Sequence, residues 1–274
     1  MLNIPLADST FKDLRDYIYE KSGIYVADSK KYLIENRLSR ILLEKNINNF
    51  EDYLNLIRFS NNGSELNRLF DAVTTNETYF FREFDQLKIF SDEIIPKILS
   101  QKKGSQVIKI WSAACSTGEE PYTLAIMLLE KGLNPKRFEI YGSDISEGVL
   151  NSAKTAVYNS YSVRNVPPNY MNKYFSNSNQ SYTLSASAKK TVKFMKINLI
   201  DDKTIRMLRN VDVIFCRNVL IYFDVKSKQK VTSHLYDCLN PGGYLLIGSS
   251  ESLHNITRAF KPNVLNKVIA YQKV

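Results

Sequence analysis

Residues 107–129 read VIKIWSAACSTGEEPYTLAIMLL, and the fold turns on them. An apolar run at 107–111 reads as a strand, a second from Thr123 reads as a helix, and AACSTGEEPY (113–122) is the turn between. Strand, turn and helix in that order are where α/β proteins bind nucleotides. A phosphate-binding turn, however, uses several glycines so that backbone N–H groups can approach the anion. This one has Gly118 alone, with Glu119 and Glu120 where a diphosphate would sit. It suits a ligand bearing an ammonium or another cation better than a dinucleotide or triphosphate. Capping accounts for the same acids: Ser116 with Glu119, and Thr117 with Glu120, each fit a capping box, and Pro121 suits a first helical turn. The turn by itself does not choose between the two readings.

Working outward, strand patterns continue at 139–142, 192–197, 211–215, 244–247 and 268–272, with helical stretches at 121–131, 147–154 and 226–238. That alternation predicts a doubly wound α/β sheet with its ligand crevice at the carboxyl ends of the strands. The run NPGG (240–243) reads as a turn into the late strands. The polar run 176–188, in which Tyr182, Leu184 and Ala186 alternate with small residues, reads as a loop or a small hairpin. Upstream, residues 9–73 are helical in pattern: Phe11, Leu14 and Ile18, then Leu33, Leu38, Ile41 and Leu42, then Leu54 and Ile57, with Gly23 and the run 61–63 as stops. The expected organisation is an all-helical domain at 1–74 and an α/β domain at 75–274 carrying a small β insertion at about 176–196.

Composition bounds the function. Apolar residues make up 44% and charged residues 24% of 274, ordinary globular values that leave room for a sizeable core. The start MLNIPLAD has no basic region leading into an apolar core, and no apolar run approaches the roughly 18 residues of a membrane span. An unexported, cytoplasmic protein is expected. Three scattered cysteines without CxxC spacing and two histidines outside any cluster predict neither disulfides, nor a metal site, nor histidine chemistry. The net charge is +9, and residues 151–200 hold seven basic residues and no acid, which fits either an anionic partner or a solvated face.

Three further stretches carry candidate chemistry. Asp144 in GSDIS lies 26 residues after Gly118, near the roughly 20 at which an acid takes a pair of ribose hydroxyls; it also suits the cap of a helix starting near Ser146. Arg217 and Asn218 emerge from the apolar run VIFC at the edge where ligands bind, and buried polar groups need partners. In TTNETYFFRE (74–83), small polar residues surround Glu77 ahead of three aromatics and Arg82, which reads as a site segment or as a capped helix start.

Together, TTNETYFFRE, WSAACSTGEEPY (111–122), GSDIS (142–146), FCRNVLIYFD (215–224) and PGGYLLIGSSESL (241–253) resemble the chemotaxis receptor methyltransferases of the CheR type. These enzymes transfer a methyl group from S-adenosylmethionine to receptor glutamates, leaving S-adenosylhomocysteine. The resemblance implies a Rossmann-like methyltransferase sheet behind a helical receptor-recognition domain. It implies that Asn76, Thr78 and Arg82 contact the cofactor and that a glutamate of the turn, Glu120 or else Glu119, holds its amino group. By the same resemblance Asp144 takes the ribose hydroxyls, Asn198 and Leu199 border the adenine, and Cys216, Arg217 and Asn218 line the floor near the methyl. Arg82 and Tyr222 are the expected catalytic residues, Tyr222 beside the acceptor. A glutamate is already ionised at neutral pH, so the transfer needs no general base and the shortage of histidine is no obstacle.

The implied partner is the cytoplasmic helical domain of chemotaxis receptors with its acidic methylation helices. The run Lys30, Lys31, Arg37, Arg40 and Lys45, opposed by Glu35 and Glu44, suits that partner. No nucleic-acid partner and no membrane insertion are expected, and the chain is expected to be a monomer. Some relatives carry a glycine-rich turn that docks on a receptor tail peptide; here residues 174–182 read YFSNSNQSY without glycine, so independence from that peptide is expected. Two other readings compete. A nucleic-acid methyltransferase is prompted by the pI near 9.2, but Asn218 to Tyr222 lacks the prolines of a base-gripping turn. A regulator that binds the cofactor without transfer is opposed by an intact Arg82 and Tyr222.

Overall fold

The computed structural model describes residues 4–59, 63–104 and 106–274. The start of the chain at 1–3 and the Asn61 and Asn62 of the expected stop signal lie outside the described residues. The chain divides into two compact units, one running to Thr75 together with Tyr222–Ser227, the other formed by Asn76–Ile221 and Lys228–Val274.

The first unit is built on helices Asp8–Ser22, Lys31–Glu44, Phe50–Phe59 and Ser64–Val73. The first ends at Gly23, whose φ of 74° is left-handed and whose N–H bonds back to Tyr19 O, the stop a glycine makes at low cost. Phe11, Leu14, Ile18, Leu38, Leu42, Tyr53, Leu54 and Leu69 form its core. In the second helix Ile34 takes the buried position rather than Leu33, because 34, 38, 41 and 42 are the residues that share one helical stripe. Tyr222–Ser227 joins this unit by real bonds: Ile24 and Phe223 form an antiparallel bridge, Tyr25 N–H donates to Tyr222 O at 2.9 Å, and Tyr19 Oη donates to Asp224 at 3.0 Å. Much of the basic run is engaged within the unit. Arg37 donates to Val73 O and to Thr75 Oγ1, while Lys31, Arg40 and Lys45 pair with Asp8, Glu44 and Glu65.

Among the described residues the second unit is organised by ten strands: β1 Ile108–Ala113, β2 Phe138–Asp144, β3 Val157–Tyr158, β4 Phe175–Ser178, β5 Ser181–Leu184, β6 Val192–Lys196, β7 Val211–Cys216, β8 Leu239–Ile247, β9 Phe260–Leu265 and β10 Val268–Lys273. Seven make one sheet in the order β6-β2-β1-β7-β8-β10-β9. β6, β2, β1, β7 and β8 are parallel, and β10 runs antiparallel to both β8 and β9. The chain winds from β1 outward through β2 to β6, then returns to β7 on the other side of β1. The switch point, and with it the crevice such sheets offer a ligand, lies at the carboxyl ends of β1 and β7. Phe80, Phe90, Ile110, Leu124, Ile126, Phe215 and Leu246 anchor the core on its faces.

Three differences from the sequence reading have physical causes. β9 has no strand signal because it is an edge strand, mostly exposed and containing Pro262. The small sheet, in the order β3-β5-β4, takes in Val157–Tyr158, two residues too few to show alternation, whereas Val192–Lys196 belongs to the large sheet. Its hairpin closes through Asn179 and Gln180, both left-handed with φ of 50° and 63°, as a two-residue turn of the I′ kind requires. The acid-free stretch also borrows its acids: Lys173 pairs with Glu130, Lys193 with Glu139 and Lys196 with Glu147.

Candidate active site

After β1 the chain reverses through Ala114, Ser116 and Gly118, all with positive φ. Glycine is required at 118, where a Cβ would lie 2.9 Å from that of Ala153 as well as at φ of 92°. Gly118 is also the cap of helix Glu119–Glu130, so Glu119 and Glu120 occupy its first two positions. A capping box needs its acid at the third, and neither box forms. Instead Thr117 Oγ1 donates to Glu119 at 2.7 Å, and Ser116 Oγ donates to Asn76 O at 3.2 Å.

The two glutamates part company. Glu119 is only 1% exposed and accepts from the hydroxyls of Thr117 and Ser162. Burial pushes its carboxyl above the usual range, and these hydrogen bonds offset only part of that. Glu120 keeps 17% of its side chain exposed, with Oε1 accepting from Ser112 Oγ at 2.6 Å and Oε2 from Arg217 Nη1 at 3.0 Å. Burial raises its carboxyl as well, with Arg217 as the main opposing influence. Of the pair, Glu120 faces a cation and retains open surface, while Glu119 braces the turn.

Arg217, directly after β7, has a 2% exposed side chain with a carboxylate on each side. Its Nη2 lies 3.1 Å from Glu83 Oε2 and donates to Arg82 O at 2.7 Å, and its Nε is buried without a partner among the described residues. Glu83, itself left-handed at φ 55°, also accepts from Asn218 Nδ2 and Ser249 N. Burial would raise its carboxyl, but Arg217, Asn218 and Ser249 together hold it below its usual value. Asn218 is likewise left-handed at φ 58°, and its N–H donates to Glu251 at 2.8 Å; Glu251 also accepts from Gly248 N at 2.7 Å and Ile221 N at 3.3 Å. Gly248 must lack a side chain, since a Cβ there would stand 2.7 Å from the Glu251 carboxylate. Cys216, the last residue of β7, is wholly buried, and burial pushes its thiol well up.

Asp144 closes β2. Its Oδ2 accepts from Ser116 N at 2.9 Å and its Oδ1 from Ser146 N at 3.0 Å, so it ties the end of β2 to the turn after β1. The helix cap is Ser146, whose Oγ accepts from Val149 N. Beyond β6, Ile197 N donates to Asp144 O, Asn198 Oδ1 accepts from Ile200 N, and the carbonyl of buried Leu199 lies 2.8 Å from His234 Nδ1. Arg82 is half-buried, donates to Glu77 O at 3.1 Å and stacks over Tyr79.

The second unit therefore brings Asn76, Arg82, Glu120, Asp144, Cys216, Arg217 and Asn218 to the carboxyl ends of β1, β2 and β7, with Asn198 and Leu199 following β6 next to Asp144. Thr78 lies half-buried on the same segment as Asn76 and Arg82. Tyr222 is carried by the first unit. Sequence reasoning missed Glu83, Glu251, Ser112 and Ser162. The signal for Glu83 was present, because a buried arginine calls for carboxylates and Glu83 stands next to Arg82. Among the described residues no cluster of histidine, cysteine or acid suits a metal, and no helix is long and apolar enough to cross a membrane.

Family models match this chain in two pieces: the CheR methyltransferase all-alpha domain at residues 9–74 and the CheR methyltransferase SAM binding domain at 76–269. Chemotaxis protein methyltransferase 2 of Vibrio cholerae is 39% identical over 276 residues, covering 100% of this chain and 96% of that protein. The chemotaxis protein methyltransferase of Borreliella burgdorferi is 37% identical over 258 residues, covering 92% and 91%, and that of Escherichia coli is 32% identical over 262, covering 94% and 89%. With both domain models matched in order, and a switch-point crevice ringed by carboxylates rather than glycines within the second unit, the chain belongs to the CheR methyltransferase family.

Proposed function

We propose that this protein methylates glutamate side chains of chemotaxis receptors, using S-adenosylmethionine and forming methyl esters. The observation that carries this reading is the buried chain Glu120, Arg217 and Glu83 at the carboxyl ends of β1 and β7, in a chain that matches the SAM binding domain model. The residues suit this cofactor. It has an ammonium and a ribose but no phosphate, and the site offers two carboxylates, Glu120 on a turn with one glycine and Asp144 at the end of β2. When bound, S-adenosylmethionine supplies an electrophilic methyl on a sulfonium.

This chain's residues bind, orient and exclude water. Glu120 takes the ammonium and is held in place by Arg217 and Ser112. Backbone N–H groups of Ser116 and Ser146 fix the Asp144 carboxylate at the end of β2, and in this reading it takes the ribose hydroxyls. Asn76, Thr78, Asn198 and Leu199 complete the cofactor contacts, and Cys216 and Asn218 form the floor. Arg82 orients the acceptor carboxylate with its forked guanidinium, and Tyr222 hydrogen-bonds the acceptor. Alignment of a carboxylate that is already ionised is the main contribution required, and such alignment accounts for about 7–11 kcal/mol in well-oriented systems.

The nucleic-acid reading loses support, because Lys173, Lys193 and Lys196 of the acid-free stretch pair with acids within the unit. The tight Asn179–Gln180 turn supports independence from a receptor tail peptide. A cytoplasmic monomer acting on the helical receptor domain, with residues 1–74 as its recognition domain and 75–274 as its catalytic domain, completes the proposal. Incubation with labelled S-adenosylmethionine and, separately, receptor-bearing membranes and nucleic acid tests it: label is expected on the receptors, and label on nucleic acid instead overturns it.

A further inference from the structure

We infer that Tyr79, Tyr161 and Arg164 form an acceptor-docking surface on the catalytic unit. In it Arg164 takes a second carboxylate of an acidic receptor helix, beside the carboxylate that Arg82 orients. This rests on the methyl-transfer reading above.

Arg164 Cζ lies 3.6 Å from the ring centroids of both Tyr79 and Tyr161, whose planes stand 80° apart. Its Nη1 donates to Tyr161 O at 2.5 Å. The adjacent acid, Glu77, accepts from the Tyr161 hydroxyl at 2.8 Å. Arg164 and Tyr161 are exposed, and among the described residues Arg164 has no carboxylate within ion-pair distance. Of the six lysines in the same acid-free stretch, three, Lys173, Lys193 and Lys196, are matched by Glu130, Glu139 and Glu147. Arg82 shares the arrangement: its Cζ lies 5.6 Å from the same Tyr79 ring, and its Nη1 bonds a carbonyl rather than an acid.

Two guanidinium groups on one ring, neither matched by a carboxylate among the described residues, make a site for two anionic groups. Rings and a carbonyl hold Arg164 in one conformation, so little side-chain freedom remains to be lost on binding. The segment is also fixed to the cofactor turn. Ser162 O accepts from Phe80 N at 2.9 Å, Ser162 Oγ donates to Glu119 at 3.1 Å, and Tyr158 Oη donates to Thr117 O at 3.0 Å. A helix with acids three or four residues apart presents carboxylates on one face, neighbours some 5–6 Å apart at Cβ, which is the occupant this surface fits.

The test is steady-state methylation of receptor-bearing membranes at saturating S-adenosylmethionine by wild type, Arg164→Gln and Arg164→Glu. KM for the receptor should rise about fivefold in R164Q, the upper size of one exposed charge pair, and further in R164E, with kcat and calorimetric cofactor affinity held. The gap between wild type and R164Q should close on receptors whose acids flanking the methylated glutamate are replaced by glutamine. Unchanged KM in both variants overturns the inference while leaving the methyl-transfer reading intact; absence of transfer by wild type removes both. Loss of cofactor affinity in R164Q would assign Arg164 a structural role instead, and competition by single-stranded DNA that vanishes in R164Q would assign the surface to nucleic acid.

Discussion

Arg217 Nη1 meets Glu120 Oε2 at 3.0 Å while Nη2 of the same guanidinium lies 3.1 Å from Glu83, so one buried cation serves two acids from separate segments. Removing the cation leaves both carboxylates uncompensated, which typically costs about 3–5 kcal/mol. Arg217→Met should lower the urea midpoint accordingly. Arg217→Lys, which keeps the charge but not the fork, should fall between. A midpoint unchanged in R217M would show that the two acids do not depend on it.

Glu120 and Glu119 are separable by calorimetry. Glu120→Gln removes a carboxylate from the ammonium and should weaken S-adenosylmethionine about thirtyfold or more, in line with truncating one partner of a buried charge pair. Glu119→Gln, facing only hydroxyls, should change affinity about threefold or less. A larger loss in E119Q than in E120Q would reverse the assignment.

Glu119 also predicts a pH dependence. Burial raises its native carboxyl above the ordinary value of 4.5. Its contribution to stability is therefore complete below that value and is lost as pH rises through the raised one. The stability of Glu119→Gln relative to wild type should increase between about pH 4 and pH 8, read from urea midpoints. A decrease over the same window would show that the native carboxyl is stabilised as the anion.

The strand, turn and helix at 107–129 were legible because two continuous apolar runs flank a polar turn, and the acids at 119, 120 and 144 were visible as misfits in it. The capping boxes were equally visible and do not form, since the helix starts at Glu119 and places both acids too early. Glu251 was not legible: it meets the Asn218 N–H from thirty-three residues away, and a pairing of that range leaves no local pattern. β9 failed for the opposite reason, having too little burial to impose alternation.

Arg82→Ala should lower kcat about a hundredfold, the scale of a misaligned acceptor, measured with receptor-bearing membranes at saturating cofactor. Its backbone carbonyl still accepts from Arg217, so the fold should be kept. A near wild-type rate would remove Arg82 from orientation of the acceptor.

The most direct measurement is the chemistry of the bond formed. After incubation with methyl-labelled S-adenosylmethionine and receptor-bearing membranes, the receptor band is excised and treated with alkali. Label is expected to leave the receptor as methanol, the mark of a carboxyl methyl ester. Label that stays on the protein under alkali would contradict it.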